Sequence, residues 1–141
     1  MKKKIFVLIL LIGIVMLTGC GKDFELYSEV TSTVKVTING ENYTLELEDN
    51  NTAKSFVTHL PQEFTMDDLN DNEKFIYMDF SLPAYVYSPG HINAGDVMLY
   101  GDNCLVIFYK SFDTNYSYTK IGHINDLGDL GNGSVTVKFE K

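Results

Sequence analysis

Between Tyr109 and Tyr118 the chain reads Tyr-Lys-Ser-Phe-Asp-Thr-Asn-Tyr-Ser-Tyr, four aromatic rings in ten residues. Tyrosine joins a large contact area to a hydroxyl, a combination that suits capture of a peptide or a small ligand. Tyr109, Phe112, Tyr116 and Tyr118 would supply the contact surface. Lys110, the only lysine between Asp79 and Thr119, would attract a carboxylate. The competing reading is that these residues alternate along barrel strands, with half of them in the core.

Other chemistry has weaker support. Ser81, Ser111 and Ser117 lie in no Gly-x-Ser-x-Gly context, so no nucleophile elbow is expected. His59, His91 and His123 are far apart and form no short-spaced ligand pair, and no metal or other cofactor is expected. Asp68-Leu-Asn70-Asp-Asn72 imitates the opening of a calcium loop, but Glu73 stands where the loop needs glycine. A hairpin turn with Asx hydrogen bonds explains that run better. Cys104, between apolar neighbours, reads as a buried small hydrophobe. No catalytic residue is assigned.

The first twenty residues speak to address. Met1-Lys-Lys-Lys4 is basic, and Ile5 to Leu17 is apolar but shorter than the ~20 residues that span hydrocarbon. Leu17-Thr-Gly-Cys20 resembles a bacterial lipobox, which implies cleavage before Cys20 and a diacylglyceryl group on its thiol. Two acyl chains anchor a protein stably where one does not. The expected organisation is a signal peptide at 1–19, a lipidated tether at 20–31 and a folded domain at 32–141. The expected place is the extracytoplasmic face of a bacterial membrane. Without the signal the chain keeps eight lysines against nineteen acidic residues, which argues against nucleic acid as a partner. Past Cys20 only Cys104 remains, so no disulfide within the domain is expected.

The elements that must position these residues are mainly strands. Val34, Val36 and Ile38 alternate with polar neighbours, and Asn39-Gly40 supplies a type I′ turn into a strand with Tyr43, Leu45 and Leu47 on one face. Ala53, Phe56, Val57 and Leu60 mark a helix from Asn51 to Leu60, stopped by Pro61. Strands are expected at Phe64–Leu69, Lys74–Met78, Asp96–Tyr100, Cys104–Lys110, Tyr116–Ile124 and Ser134–Glu140, with 83–95 a loop. Eight strands and one helix in about 110 residues suggest a barrel. Cys104-Leu-Val-Ile-Phe-Tyr109 is apolar throughout, so something must cover its outer face, and the helix is the expected cover.

The string Gly95-Asp-Val-Met-Leu-Tyr-Gly-Asp-Asn-Cys-Leu-Val-Ile-Phe-Tyr-Lys110, then Tyr116 to Ile124, resembles the bacterial cyclophilin-like domains. So do Val36-Thr-Ile-Asn-Gly40, the helix near Asn51 and Met66-Asp-Asp-Leu-Asn70, and the likeness runs over nearly all of 33–141. The resemblance implies a closed eight-stranded antiparallel β-barrel capped by one α-helix. True cyclophilins stabilise a twisted prolyl amide with an arginine guanidinium, and this chain contains no arginine and no Phe-His-Arg triplet. Lysine, a compact hydrated charge, replaces it poorly. The expected function is a lipid-anchored accessory module that binds a peptide or small ligand without isomerase activity. The alternatives are a weak prolyl isomerase or chaperone of exported chains, and a structural surface protein.

Overall fold

The computed structural model describes residues 32–141, and the expected signal peptide, Cys20 and the tether lie outside the described residues. The first hairpin forms as its alternation dictates. Strand β1 (Thr33–Ile38) buries Val34, Val36 and Ile38, and β2 (Glu41–Leu47) buries Leu45. Asn39 and Gly40 both take positive φ, 46° and 87°, as a two-residue turn of this type requires. The second hairpin, β3 (Gln62–Leu69) and β4 (Glu73–Tyr77), turns through Asn70 and Asp71 at φ 57° and 55°. Asp68 accepts a hydrogen bond from the Asp71 N–H at 3.0 Å, so the run is an Asx-braced turn.

Strands β6 (Asp96–Tyr100), β7 (Cys104–Phe108), β9 (Thr119–Ile124) and β10 (Val135–Glu140) complete the sheet. It closes in the order β1-β10-β3-β4-β7-β6-β9-β2, every neighbour antiparallel. This is the expected eight-stranded barrel. Closure removes the open edges that an antiparallel sheet would otherwise expose. Gly122 allows the close approach of β9 to β2, since a Cβ there would run into the Glu46 carbonyl.

Helix α1 (Asn51–Thr58) is the one helix among the described residues. The Asn50 side chain caps it, accepting from the Ala53 N–H at 2.8 Å, while its Nδ2 donates to the Lys120 carbonyl on β9. Thr52 Oγ1 donates to the Pro83 carbonyl at 2.6 Å. So held, the helix lowers Ala53 and Phe56 into the barrel's interior cluster, where Phe56 meets the Phe139 ring edge-on at 5.2 Å.

That position corrects the expectation that the helix shields the outside of β7. Leu105 and Ile107 point inward to join Phe56, whereas Cys104, Val106 and Phe108 point outward into a second apolar cluster. The outer cover comes from Ile92, Phe112 and Tyr118. Ile92 lies in the stretch expected to be loop. There β5 (His91–Ile92) pairs with β8 (Phe112–Asp113) as a separate two-stranded ribbon. The helix has two turns and a single apolar stripe, so filling the barrel mouth leaves it nothing to lay over the wall.

Candidate functional site

The outward side chains of β4 and β7 begin the site. On β4, Glu73, Phe75 and Tyr77 share one face, because side chains alternate along a strand. Beside them on β7 lie Cys104 and Val106, and Tyr100 stands at the end of β6. Residues 112–116 and Tyr118 rise opposite as a wall, and Leu69, Asn70 and Asn72 close one end. The open groove has a volume of about 800 Å³, within the range of small-ligand clefts.

The wall is fixed by its own hydrogen bonds. Tyr87 and Tyr118 exchange both backbone bonds at 2.9 Å, and Ser88 and Ser117 hydroxyls meet at 3.0 Å. The ribbon holds Phe112 against Ile92. The rings then follow one another: Phe112 to Phe108 at 5.6 Å, Phe108 to Tyr118 at 5.5 Å, Tyr118 to Tyr100 at 5.8 Å, Tyr100 to Tyr116 at 6.3 Å. Such tilted and edge-to-face spacings are attractive. Tyr77 and Tyr116 are each 64 % exposed, and Tyr100 and Leu69 44 %. Four of the exposed large apolar side chains therefore gather on one groove, a concentration that marks an interaction surface.

Electrostatically the groove is one-sided. Burial, then the neighbouring Asp68 carboxylate, pushes Glu73 up to about 7. Burial, then the charge of Glu73, pushes Tyr118 up to about 12. Burial raises the Cys104 thiol too, with Glu73 adding to it and the Tyr77 hydroxyl partly offsetting it, so the thiolate is disfavoured. No lysine lines the groove.

The five candidate residues of the tyrosine-rich run divide accordingly. Phe112, Tyr116 and Tyr118 meet in the groove. Tyr109 instead points into the barrel, 3 % exposed, and its hydroxyl donates to Asp68 Oδ1 at 2.5 Å. Burial, reinforced by that bond, holds its pKa well above the usual tyrosine range. Lys110 lies off the groove, 3.8 Å from Asp129 and 5.8 Å from the Tyr109 ring centroid. The cation expected to receive a carboxylate is therefore elsewhere. Tyr116–Tyr118 also precede β9 instead of belonging to it, which frees Tyr116 to stand up from the wall.

Glu73, Phe75, Tyr77 and Tyr100 line the groove and were missed as site residues. Their signal was the alternation of 73, 75 and 77 out of phase with the inward Ile76. The remaining candidates have local partners. His59 ends α1, with Nδ1 2.9 Å from the Ser55 carbonyl and its ring stacked on Phe80 at 3.9 Å. His91 pairs with Asp113 and His123 with Asp96. Among the described residues no three His, Cys, Asp or Glu side chains converge as a metal site, and no helix is long and apolar enough to cross a membrane.

Comparison with curated proteins and with solved structures gave no match. The family model described as "Cyclophilin-like family" matches residues 36–140, from the middle of β1 to the end of β10. That span takes in the closed barrel, the capping helix and the whole groove wall, and the chain belongs to the cyclophilin-like family.

Proposed function

We propose that the protein is a binding module, held by lipid on Cys20 at the extracytoplasmic face of a bacterial membrane, whose aromatic groove captures a peptide or small ligand without isomerising it. The observation that carries the binding half is the groove itself: about 800 Å³, with Tyr77, Tyr100 and Tyr116 exposed around an apolar floor. Support for the absence of isomerase chemistry comes from charge. Stabilising a twisting prolyl amide calls for a preorganised donor at the reacting nitrogen, commonly the largest catalytic contribution. The chain has no arginine, and no lysine lines the groove. Support for the anchor is the basic, apolar and Leu-Thr-Gly-Cys sequence of residues 1–20.

The test is a titration of the isotope-labelled full chain in detergent with short peptides, one of them a prolyl tetrapeptide, and small organic ligands. Shift changes should cluster at Tyr77, Tyr100, Tyr116 and Tyr118, and prolyl exchange in the same samples should run at its uncatalysed rate. Binding that maps to another face would overturn the groove assignment. Fast prolyl exchange would move the protein to the isomerase class.

A further inference from the structure

We infer that the groove is a receptor for an organic cation, an ammonium group carried on an aliphatic chain, with Glu73 as its counter-charge and the tyrosine and phenylalanine rings as its cage. This rests on the reading of the groove as a binding site and names the chemistry that site selects.

Two observations converge. First, six aromatic rings line the groove: Phe75, Tyr77, Tyr100, Phe112, Tyr116 and Tyr118. Ring faces attract cations within about 6 Å, and more strongly where water is excluded. Second, the charges present are of one sign. Glu73 lies within the groove and Asp113 on its rim, with no lysine among the lining residues. The Asp113 carboxylate already has His91 Nδ1 at 2.7 Å. Glu73 is without such a partner: its neighbours of consequence are burial and the like charge of Asp68, and no hydrogen bond offsets them. A cation bearing N–H groups satisfies the carboxylate by hydrogen bonds, and a quaternary ammonium satisfies the carboxylate and the rings.

The titratable groups around Glu73 set the pH response. Cys104 from β7 and Tyr118 from the groove wall share its side, Asp68 acts on it from the opposite face of β3, and none of them is a cation. Lys74, next to it on β4, is fully buried and turned to the opposite face, where it pairs with Asp68. Proton and cation therefore compete for one carboxylate, and cation affinity rises as that carboxylate ionises.

The experiment compares isosteres on the full chain by shift titration. Choline is set against 3,3-dimethylbutanol, which has the same shape without the charge. Acetyl-lysine methylamide is set against acetyl-norleucine methylamide. Each cation should bind in the groove about tenfold more tightly than its neutral isostere, as expected when cage and counter-charge add together. The difference should grow from about pH 6 to about pH 8, and Glu73→Gln should abolish both the preference and its pH dependence. That variant keeps the shape of the protonated acid, so its fold should persist, and it separates Glu73 from the His91–Asp113 pair. Tighter choline than lysine binding would indicate a free quaternary amine as the source, and the reverse a peptide side chain. Equal binding of cation and isostere in the groove would overturn the cation assignment and leave the binding site standing. Groove binding by none of the four would overturn the cation assignment, and the wider peptide and ligand panel would then decide the site.

Discussion

Lys74 is fully buried, with Nζ 2.8 Å from Asp68 Oδ1, 2.5 Å from the Gly131 carbonyl and 2.6 Å from the Gly133 carbonyl. The ammonium spends its three N–H groups on three oxygens, and the Tyr109 ring lies 4.9 Å away. One side chain thus pins the 125–134 connection across the barrel end opposite α1. Breaking a buried pair from one side strands the other charge, so Lys74→Ala should destabilise the protein by about 3–5 kcal/mol in denaturant melts. A loss under about 1 kcal/mol would show that the connection holds without it. The two neighbouring carboxyls respond to pH in opposite senses. Burial tends to raise Asp68, but hydrogen bonds from Lys74, Tyr109 and the Asp71 N–H outweigh it and hold its pKa below the usual value. Its contribution is present at neutral pH and is lost as pH falls through that lowered value. Glu73 has the raised value, about 7 against an ordinary 4.5. The folded protein then holds its proton longer than the unfolded chain, so stability falls as pH rises between those values. Glu73→Gln should remove that fall. Relative to the parent the variant should gain about 1–2 kcal/mol at pH 8 over pH 5, once screening at this partly exposed carboxyl is allowed for. Melts at the two pH values check it, and an unchanged difference would mean Glu73 ionises normally.

At the scale of elements, α1 acts as a plug. Phe56 is fully buried among Val36, Leu105 and Phe139 in the interior cluster, so Phe56→Ala should cost about 3–5 kcal/mol in denaturant melts. A cost under about 1 kcal/mol would place the ring outside the core. Sequence alternation made both hairpins legible, because each strand has one wet and one buried face. Alternation also held two facts that were not drawn from it. Tyr109 is in phase with Leu105 and Ile107, which points it inward, and Lys74 is in phase with Ile76. A buried lysine contradicts ordinary polarity, so its phase was the only clue. The ribbon of β5 and β8 was not legible. Two-residue strands have no period, and their pairing depends on contacts between segments twenty or more residues apart. Without the ribbon, the helix was the only available cover for β7, and the wrong element was assigned to its outer face.

For the molecule as a whole, periodicity gave the number of barrel strands but not their order. The family resemblance implied a closed eight-stranded barrel, but the order β1-β10-β3-β4-β7-β6-β9-β2 came from the structure, since alternation within a strand says nothing about its neighbour. The groove was legible in half: the tyrosine-rich run marked the wall, while the floor on β4 and β7 required the barrel's pairing to bring it opposite. The acidic balance of the chain, −8 overall, is what the proposed lipid-held, cation-binding head would need. Cys20→Ala should shift the protein from the detergent phase to the aqueous phase in a partition assay. Continued detergent partitioning would remove the lipid anchor from the account.

The central claim is that the aromatic groove is a binding surface and not part of the folding core. Tyr100 and Tyr116 stand on its rim, 44 % and 64 % exposed, with rings 6.3 Å apart. The most direct measurement is made on a Tyr100→Ala/Tyr116→Ala double variant, following thermal stability and ligand titration on the same sample. The account predicts a melting temperature within a few degrees of the parent, as for exposed side chains, and affinity for groove ligands reduced at least about tenfold. A variant that unfolds, or one that folds and binds as tightly as the parent, would contradict it.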